Sequence, residues 1–323
     1  MPNGLGPDGR LRDPWHRALD RALARGPWRS YRGGSPSTFF IHVPNERKRD
    51  PNEWYNIMKA VESGVVPREQ LGRVDLTGAL EAWVGQRNEE LIFVVRGRNV
   101  PIPRLRRSVE SLERQRDRSW GVVFVDAGSE NGADEFLDTV VRPRLAFKAI
   151  LYRNFVPVTA MENMWTAVRR LCSNPNSIIV TVDADDALIG DDVVGFVKHV
   201  YAEGADVTVG TMLRTDKIAD YPVHLEKPRE HRGGNVWQHL RTFRKELFDG
   251  IPEDYLKVEG QWVPFAEDWA FMLPIVEAAR KPTRIARPVY FYEPSVEKLA
   301  RSHEEREALI ARIVAKPPLR GGR

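Results

Sequence analysis

The stretch Ser177-Ile-Ile-Val-Thr-Val-Asp-Ala-Asp-Asp-Ala-Leu188 runs an apolar strand into three carboxylates within four residues. An apolar run of this kind is typical of a strand that is buried on both faces of a parallel sheet. If the strand continues past Asp183, the Asp183 and Asp185 side chains leave the same face. Two such charges, roughly 5 Å apart in a dielectric of about 20, repel by about 3 kcal/mol. We expect water, a cation or a raised pKa to offset that repulsion.

Strands and helices alternate on both sides of this stretch, judged by apolar runs and amphipathic periodicity. The predicted strands are 91–95, 120–125, 146–152, 177–182, 206–212 and 287–292. The predicted helices are 103–115, 133–141, 159–172, 191–202, 235–248, 269–279 and 295–314. The alternation predicts an α/β fold, Rossmann-like, with a mostly parallel central sheet flanked by helices.

Polar residues follow four of these strands, at 96–99, 126–131, 153–154 and 183–186. In parallel sheets, ligands bind beyond the carboxyl ends of the strands. The sequence therefore predicts one polar site at that edge of the sheet.

Composition narrows the class of protein. The chain has 323 residues, 42% of them apolar and 29% charged, which predicts a soluble globular protein with a sizeable core. The sequence has no apolar run long enough for a membrane helix and no secretion-signal pattern at its start. The single cysteine, Cys172, is interpreted as a core residue and suits a reducing cytoplasm. Zinc spacing, P-loop and GxGxxG patterns are absent from the sequence.

The first 88 residues are an extension to the predicted sheet. Arginines cluster before residue 33, but Asp8, Asp13 and Asp20 interrupt them and no nucleic-acid motif accompanies them, so a solvated segment is favoured over a nucleic-acid arm. Helices are expected at 15–24, 52–63 and 67–84, and a strand at 38–43. This extension could form a homodimer contact or help to select the acceptor.

Four segments in order resemble a family-two inverting glycosyltransferase of the GT-A fold. They are Val94-Val-Arg-Gly-Arg-Asn99, Val125-Asp-Ala-Gly-Ser-Glu-Asn-Gly132, Val182-Asp-Ala-Asp-Asp186 and Glu267-Asp268. The third is similar to the family's DXD motif and the fourth to its catalytic Glu-Asp pair. Arg98 stands where the family often has an aromatic residue, and Ala127 where it has a second aspartate. The resemblance covers about residues 90–293.

The resemblance implies a nucleotide-sugar donor, with a uridine base suggested by Asp126. The nucleotide-binding residues that it implies are Arg96, Gly97, Arg98, Asn99, Asp126, Ser129, Asn154, Asn163, Asp183 and Ala184. It also implies that Asp185, with Asp183 close to the ribose or the ion, binds Mn²⁺ or Mg²⁺, which prefer oxygen ligands. Helix capping by Asp185 or Asp186, and a turn role for Asp126, stay open as alternatives.

For catalysis, the resemblance implies that Asp268 removes a proton from an acceptor hydroxyl group. Glu267 is expected to have an orienting role and not to react itself. Asp268 is also expected to lie near apolar surface, which would raise its basicity. An acidic helix start explains the same two residues without catalysis. A nucleotidyltransferase and a non-catalytic sugar-nucleotide-binding protein are the alternative functions. The expected organisation is an extension at 1–88, a nucleotide-sugar-binding half at 89–215 and an acceptor half with a C-terminal helix at 216–323.

Overall fold

An eight-stranded sheet is the centre of the fold. The computed structural model describes residues 86–145, 148–154, 157–216, 223–230, 236–294 and 303–319. Two compact units divide the chain, residues 1–84 with 153–157 and residues 85–152 with 158–323, and the sheet belongs to the second. The helices and the strand expected before residue 85 lie outside the described residues.

The strand order in the sheet is β3-β2-β1-β4-β7-β6-β10-β5. The strands are β1 (Leu91–Gly97), β2 (Gly121–Asp126), β3 (Ala149–Arg153), β4 (Ile178–Asp183), β5 (Ala187–Leu188), β6 (Val207–Arg214), β7 (Arg241–Arg244) and β10 (Pro282–Tyr292). Strand β1 pairs in parallel with β2 and β4, and β6 with β10, whereas β7 and β5 are antiparallel to their partners. A separate hairpin pairs β8 (Lys257–Val258) with β9 (Gln261–Trp262).

The helices connect and flank these strands. They are α1 (Ile102–Glu113), α2 (Ala133–Phe136), α3 (Arg142–Arg144), α4 (Ala160–Leu171), α5 (Val193–Ala202), α6 (Lys245–Asp249), α7 (Glu267–Ala278) and α8 (His303–Val314). A π-helical segment, Leu137–Val141, joins α2 to α3, so the helix expected at 133–141 is longer and less regular than predicted. The described helices reach at most 12 residues, and none of them could span a bilayer.

The apolar runs form strands because both faces of the sheet are covered. Every residue from Leu91 to Arg96 is buried, and β2 is buried along its whole length. Phe93 packs edge-on against Trp120, with ring centroids 5.5 Å apart. Cys172 is also buried, as its interpretation as a core residue requires. Burial on both faces confirms the mostly parallel α/β sheet predicted from the continuous apolar runs.

The helix predicted at 235–248 is wrong. Residues 241–244 form β7, which lies antiparallel between β4 and β6, and only Lys245–Asp249 are helical. The hydroxyl group of Thr242 is buried and lies 2.6 Å from the Thr208 hydroxyl oxygen and 2.8 Å from that of Tyr201. Pairing on both edges satisfies the backbone of β7, so tertiary context overrides a local helical pattern.

Other boundaries differ by a few residues. Thr159 caps α4 by accepting a hydrogen bond from the Glu162 backbone N–H, 3.1 Å away. Strand β10 begins at Pro282, earlier than predicted, because it pairs along β6 through two register shifts. Helix α8 is described only from His303, and the part expected from residue 295 lies outside the described residues.

The loops after β1, β2 and β4 meet at one edge of the sheet. Ala127 N–H donates to the Gly97 carbonyl oxygen at 2.9 Å, and Ala184 N–H donates to the Arg96 carbonyl oxygen at 2.8 Å. These two bonds bring the polar residues after three strands together, as the rule for parallel sheets predicts.

Candidate active site

The loops after β1 and β2 brace each other. Asn99 N–H donates to Ser129 Oγ at 2.8 Å, and Glu130 N–H donates to Asn99 Oδ1 at 2.9 Å. Asn99 adopts a positive φ of 50°, a conformation that asparagine tolerates better than most residues. Ser129 N–H in turn donates to Asp126 Oδ2 at 3.1 Å, which orients that buried carboxylate. The predicted residues Asn99, Ser129 and Asp126 therefore form one connected structure.

A small pocket of about 10 Å³, partly open to solvent, lies against these loops. Its lining includes Gly97, Val100, Phe124, Asp126, Ser129 and Ala184. A Cβ atom on Gly97 would lie 2.6 Å from Val100 Cγ2 and 2.8 Å from Ala184 Cβ, so only glycine fits there. The pocket thus has mostly apolar walls, with the buried carboxylate of Asp126 in its lining.

The three aspartates after β4 form a cluster. One carboxylate oxygen from each of Asp183, Asp185 and Asp186 lies within 4.8 Å of the other two. The strand ends at Asp183, and residues 184–185 form a turn closed by an Asp186 N–H bond to the Asp183 carbonyl oxygen at 3.0 Å. Asp183 and Asp185 therefore converge through a turn and not through a shared strand face.

Both carboxylate oxygens of Asp186 accept hydrogen bonds from the protein. The Tyr290 hydroxyl group donates to Asp186 Oδ2 at 2.9 Å, and Glu293 N–H donates to Asp186 Oδ1 at 3.0 Å. Burial raises the pKa of the Tyr290 hydroxyl well above its ordinary value, and the charges of Asp186 and Asp183 act in the same direction. The phenol therefore stays protonated and keeps donating. Asp186 is fully buried, whereas Asp183 and Asp185 are only half-buried, so their carboxylates are the ones of the cluster that solvent reaches.

Neighbouring groups hold these two aspartates in place. Asp183 N–H donates to the Tyr290 hydroxyl oxygen at 3.0 Å, and Arg107 donates to the Asp185 carbonyl oxygen at 2.8 Å. The buried His239 ring is stacked on Tyr290, with centroids 4.3 Å apart, and its Nε2 lies 3.8 Å from Asp183 Oδ2. The oxygen ligands, their number and their fixed backbone fit a hard divalent cation such as Mg²⁺ or Mn²⁺.

Arg96 connects the aspartate cluster to α7. Its side chain is buried, and its Nη2 lies 3.5 Å from Asp183 Oδ1 and 3.8 Å from Glu267 Oε1. Glu267 and Asp268 are the first two residues of α7, after Ala266 with a positive φ of 53°. The predicted catalytic pair thus begins at the same edge of the sheet as the aspartates.

Asp268 lies between two arginines. Its Oδ2 is 3.7 Å from Arg241 Nη2 and 3.8 Å from Arg306 Nη2, and its side chain is only 9% exposed. Arg241 is fixed by a 2.6 Å bond from its Nε to the Trp237 carbonyl oxygen. The surroundings of Asp268 are therefore cationic as well as buried, which differs from the apolar environment expected from the sequence.

For the remaining predicted nucleotide-binding residues, the structure gives a position and a degree of burial. Arg98 is exposed on the loop after β1. Asn154 directly follows β3, Asn163 lies near the start of α4, and both are buried.

Sequence reasoning missed four residues of the site. It gave His239, Arg241, Tyr290 and Arg306 no role in the site. His239 and Arg241 are buried, and all four contact Asp183, Asp186 or Asp268. The buried strand pattern around Tyr290 was visible in the sequence, but nothing in it indicated which acidic residue would face the hydroxyl group.

Three tryptophans in the later part of the chain, Trp237, Trp262 and Trp269, differ in burial. Trp237 and Trp269 are core residues that pack edge-on with centroids 5.5 Å apart. Trp262 is half-buried beside Trp165, at 5.7 Å, and Lys257 Nζ lies 4.7 Å from the centre of its ring.

Comparison with known proteins identifies relatives. The sequence profile described as glycosyl transferase family 2 matches residues 93–255. No curated protein matches the chain. Solved structures of TarS from S. aureus share the fold: the complex of its residues 1–349 with UDP-GlcNAc has a TM-score of 0.55 at 15% identity, covering 70% of this chain and 65% of that one. The corresponding UDP complex gives 0.52 at 15% identity, covering 70% and 64%. A longer TarS structure gives 0.50 at 17% identity, and there the match spans only 39% of the TarS chain.

Proposed function

Because the chain belongs to glycosyl transferase family 2, we propose that it transfers a sugar from a nucleotide-diphosphate donor to an acceptor hydroxyl group. The observation that carries this proposal is the joining of the aspartate cluster to the start of α7 through Arg96. Transfer needs a site for the donor diphosphate beside a carboxylate for the acceptor proton, and these groups supply both.

The donor base would bind against the loops after β1 and β2, beside the small pocket that they border. Asp126 is buried at its edge and held by Ser129, so its carboxylate can accept a hydrogen bond from a uracil imide. The similarly folded TarS has been crystallised with UDP and UDP-GlcNAc, which supports a uridine donor here. Gly97 and Ala184 line the pocket, and Asn99 is bonded to Ser129 in the same wall. Arg98 is exposed next to them, where a guanidinium group can stack on a base or pair with a phosphate.

A divalent cation would be held by Asp185 with Asp183. Both are half-buried carboxylates of the cluster, whereas Asp186 is bonded to Tyr290 and Glu293. When bound, Mg²⁺ or Mn²⁺ supplies positive charge that neutralises the departing diphosphate.

Asp268 would act as the general base of an inverting transfer. Arg241 and Arg306 each lie within 4 Å of its Oδ2 and can orient the carboxylate that accepts the proton of the acceptor hydroxyl group. Glu267, tied to Arg96, orients this end of α7. The acceptor would bind to the half of the chain from residue 216, and the donor to residues 89–215.

Donor hydrolysis tests the proposal most directly. The protein is incubated with Mn²⁺ and, separately, with UDP-glucose, UDP-galactose, UDP-GlcNAc and GDP-mannose, and release of the nucleoside diphosphate is followed by chromatography. We expect slow release of UDP from at least one uridine donor. Absence of release from all four donors, together with absence of UDP binding in calorimetry, would contradict the proposed function.

A further inference from the structure

The Arg96 side chain is buried where three elements meet. It leaves the end of β1, its Nη1 donates to the Ala160 carbonyl oxygen at the start of α4 at 3.0 Å, and its Nη2 faces Asp183 and Glu267. Only 4% of the side chain is exposed. The side chain thus links its own strand β1 to α4, β4 and α7.

A cation at this position resolves an electrostatic conflict. The Asp183 and Glu267 carboxylates both lie within 4 Å of one nitrogen atom, and both are largely shielded from water. Two carboxylates placed so close repel each other unless a positive charge lies between them. A guanidinium group is suited to this place because one nitrogen can bond to a backbone carbonyl while another faces the acids.

We propose that Arg96 is a positioning residue of the transfer reaction, holding Asp183 and Glu267 in a fixed relation to each other. This role rests on the proposed function, since Asp183 belongs to the donor side and Glu267 precedes the general base Asp268. Arg96 thereby acts on the reaction through these two carboxylates. Its loss releases the start of α7 from the end of β4 and misplaces the base relative to the donor.

The test is a double-mutant cycle on turnover, using Arg96→Met, Glu267→Gln and the double variant. If Arg96→Met misplaces the general base, kcat should fall about 100-fold while the donor KM changes less. Because the two residues act through one contact, Glu267→Gln should lower kcat in the wild-type background and have little further effect in Arg96→Met. Melting temperatures of all variants are measured alongside.

Two further variants separate positioning from simple destabilisation. Arg169→Met removes a partly buried arginine that donates to the Phe248 and Ile251 carbonyl oxygens, and it should cost stability while leaving kcat unchanged. Arg96→Lys keeps the charge but not the fork, so kcat should fall less than in Arg96→Met and stay below wild type. If Arg96→Met does not fold, the same cycle is run with Arg96→Lys.

The outcomes are distinct. If the wild-type protein turns over a nucleotide sugar but the effects of the Arg96 and Glu267 substitutions on kcat are strictly additive, the positioning role is overturned and the proposed function stands. A folded Arg96→Lys or Arg96→Met variant with wild-type kcat has the same consequence. A wild-type protein that turns over no nucleotide sugar overturns both.

Discussion

At the scale of single residues, each acidic side chain of this site has cationic or hydrogen-bonding groups of the protein beside it. Asp183 has Arg96 and His239 near its two oxygens, Asp186 is bonded to Tyr290, and Asp268 has two arginines beside it. The repulsion expected from three adjacent carboxylates is therefore reduced by fixed protein donors and cations before any ligand binds. The carboxylates are thereby held in fixed positions, which a cation ligand or a general base requires.

Replacing Asp268 by asparagine should abolish most turnover and spare donor binding. The amide has the shape of the carboxylate but cannot take the acceptor proton, so kcat should fall by about 10²–10⁴. Kinetics and UDP titration measure the two effects separately. Glu304→Gln, an exposed change on the helix that carries Arg306, is the control and should behave as wild type. Unchanged turnover in Asp268→Asn would remove this residue from the mechanism.

Replacing Tyr290 by phenylalanine tests the support beneath the aspartates. The change leaves Asp186 without one of its donors and Asp183 N–H without its acceptor, which should cost about 1–3 kcal/mol of unfolding free energy. Urea unfolding measures the loss. Tyr255→Phe removes an exposed hydroxyl group bonded to the Pro317 carbonyl oxygen and should cost less. Equal losses in the two variants would contradict the supporting role of Tyr290.

At the scale of elements, the sequence predicted correctly the strands that carry a clear apolar pattern of their own. Continuous apolar runs predicted β1, β2 and β4, because a strand covered on both faces must be apolar throughout. Residues 235–248 were misassigned because β7 is short and forms only between two strands already in place. The partners of Arg96 were equally hidden, since ion pairs between distant segments leave no periodic trace in the sequence.

The turn after β1 depends on the absence of a side chain at Gly97. In Gly97→Ala the new methyl group would meet Val100 and Ala184 below 3 Å, so the loop must shift and the pocket wall with it. We expect UDP affinity to fall by about tenfold or more, measured by calorimetry, which corresponds to roughly 1.4 kcal/mol.

Gly195→Ala provides the matched control for that substitution. Gly195 lies within α5, and a Cβ atom there meets nothing within 4 Å. The change should raise the unfolding free energy by about 0.5–1 kcal/mol and leave UDP affinity unchanged. Unaltered UDP binding in Gly97→Ala would show that the pocket beside Gly97 does not hold the nucleotide.

On the scale of the whole molecule, the candidate site is assembled from segments that span most of the described sheet unit. The loops after β1, β2 and β4 supply the pocket and the aspartates, β10 supplies Tyr290, and α7 and α8 supply Asp268 and Arg306. The convergence of the first three loops was predictable, because carboxyl ends of parallel strands share an edge. The positions of β10 and α8 at the site were not predictable from the sequence, because they depend on how the later elements pack against that edge.

A site assembled from separate segments should couple ligand binding to global stability. UDP with Mn²⁺ should raise the melting temperature on the order of 5 °C at a concentration about 100 times Kd, because both ligands bind the folded chain alone. UDP without the metal should give a much smaller shift, and Asp185→Ala should remove the metal-dependent part. Asp191→Ala, which removes an exposed carboxylate paired with Arg116, should retain it. An equal shift with and without Mn²⁺, or one that survives in Asp185→Ala, would mean that the aspartate cluster does not hold the cation with the nucleotide.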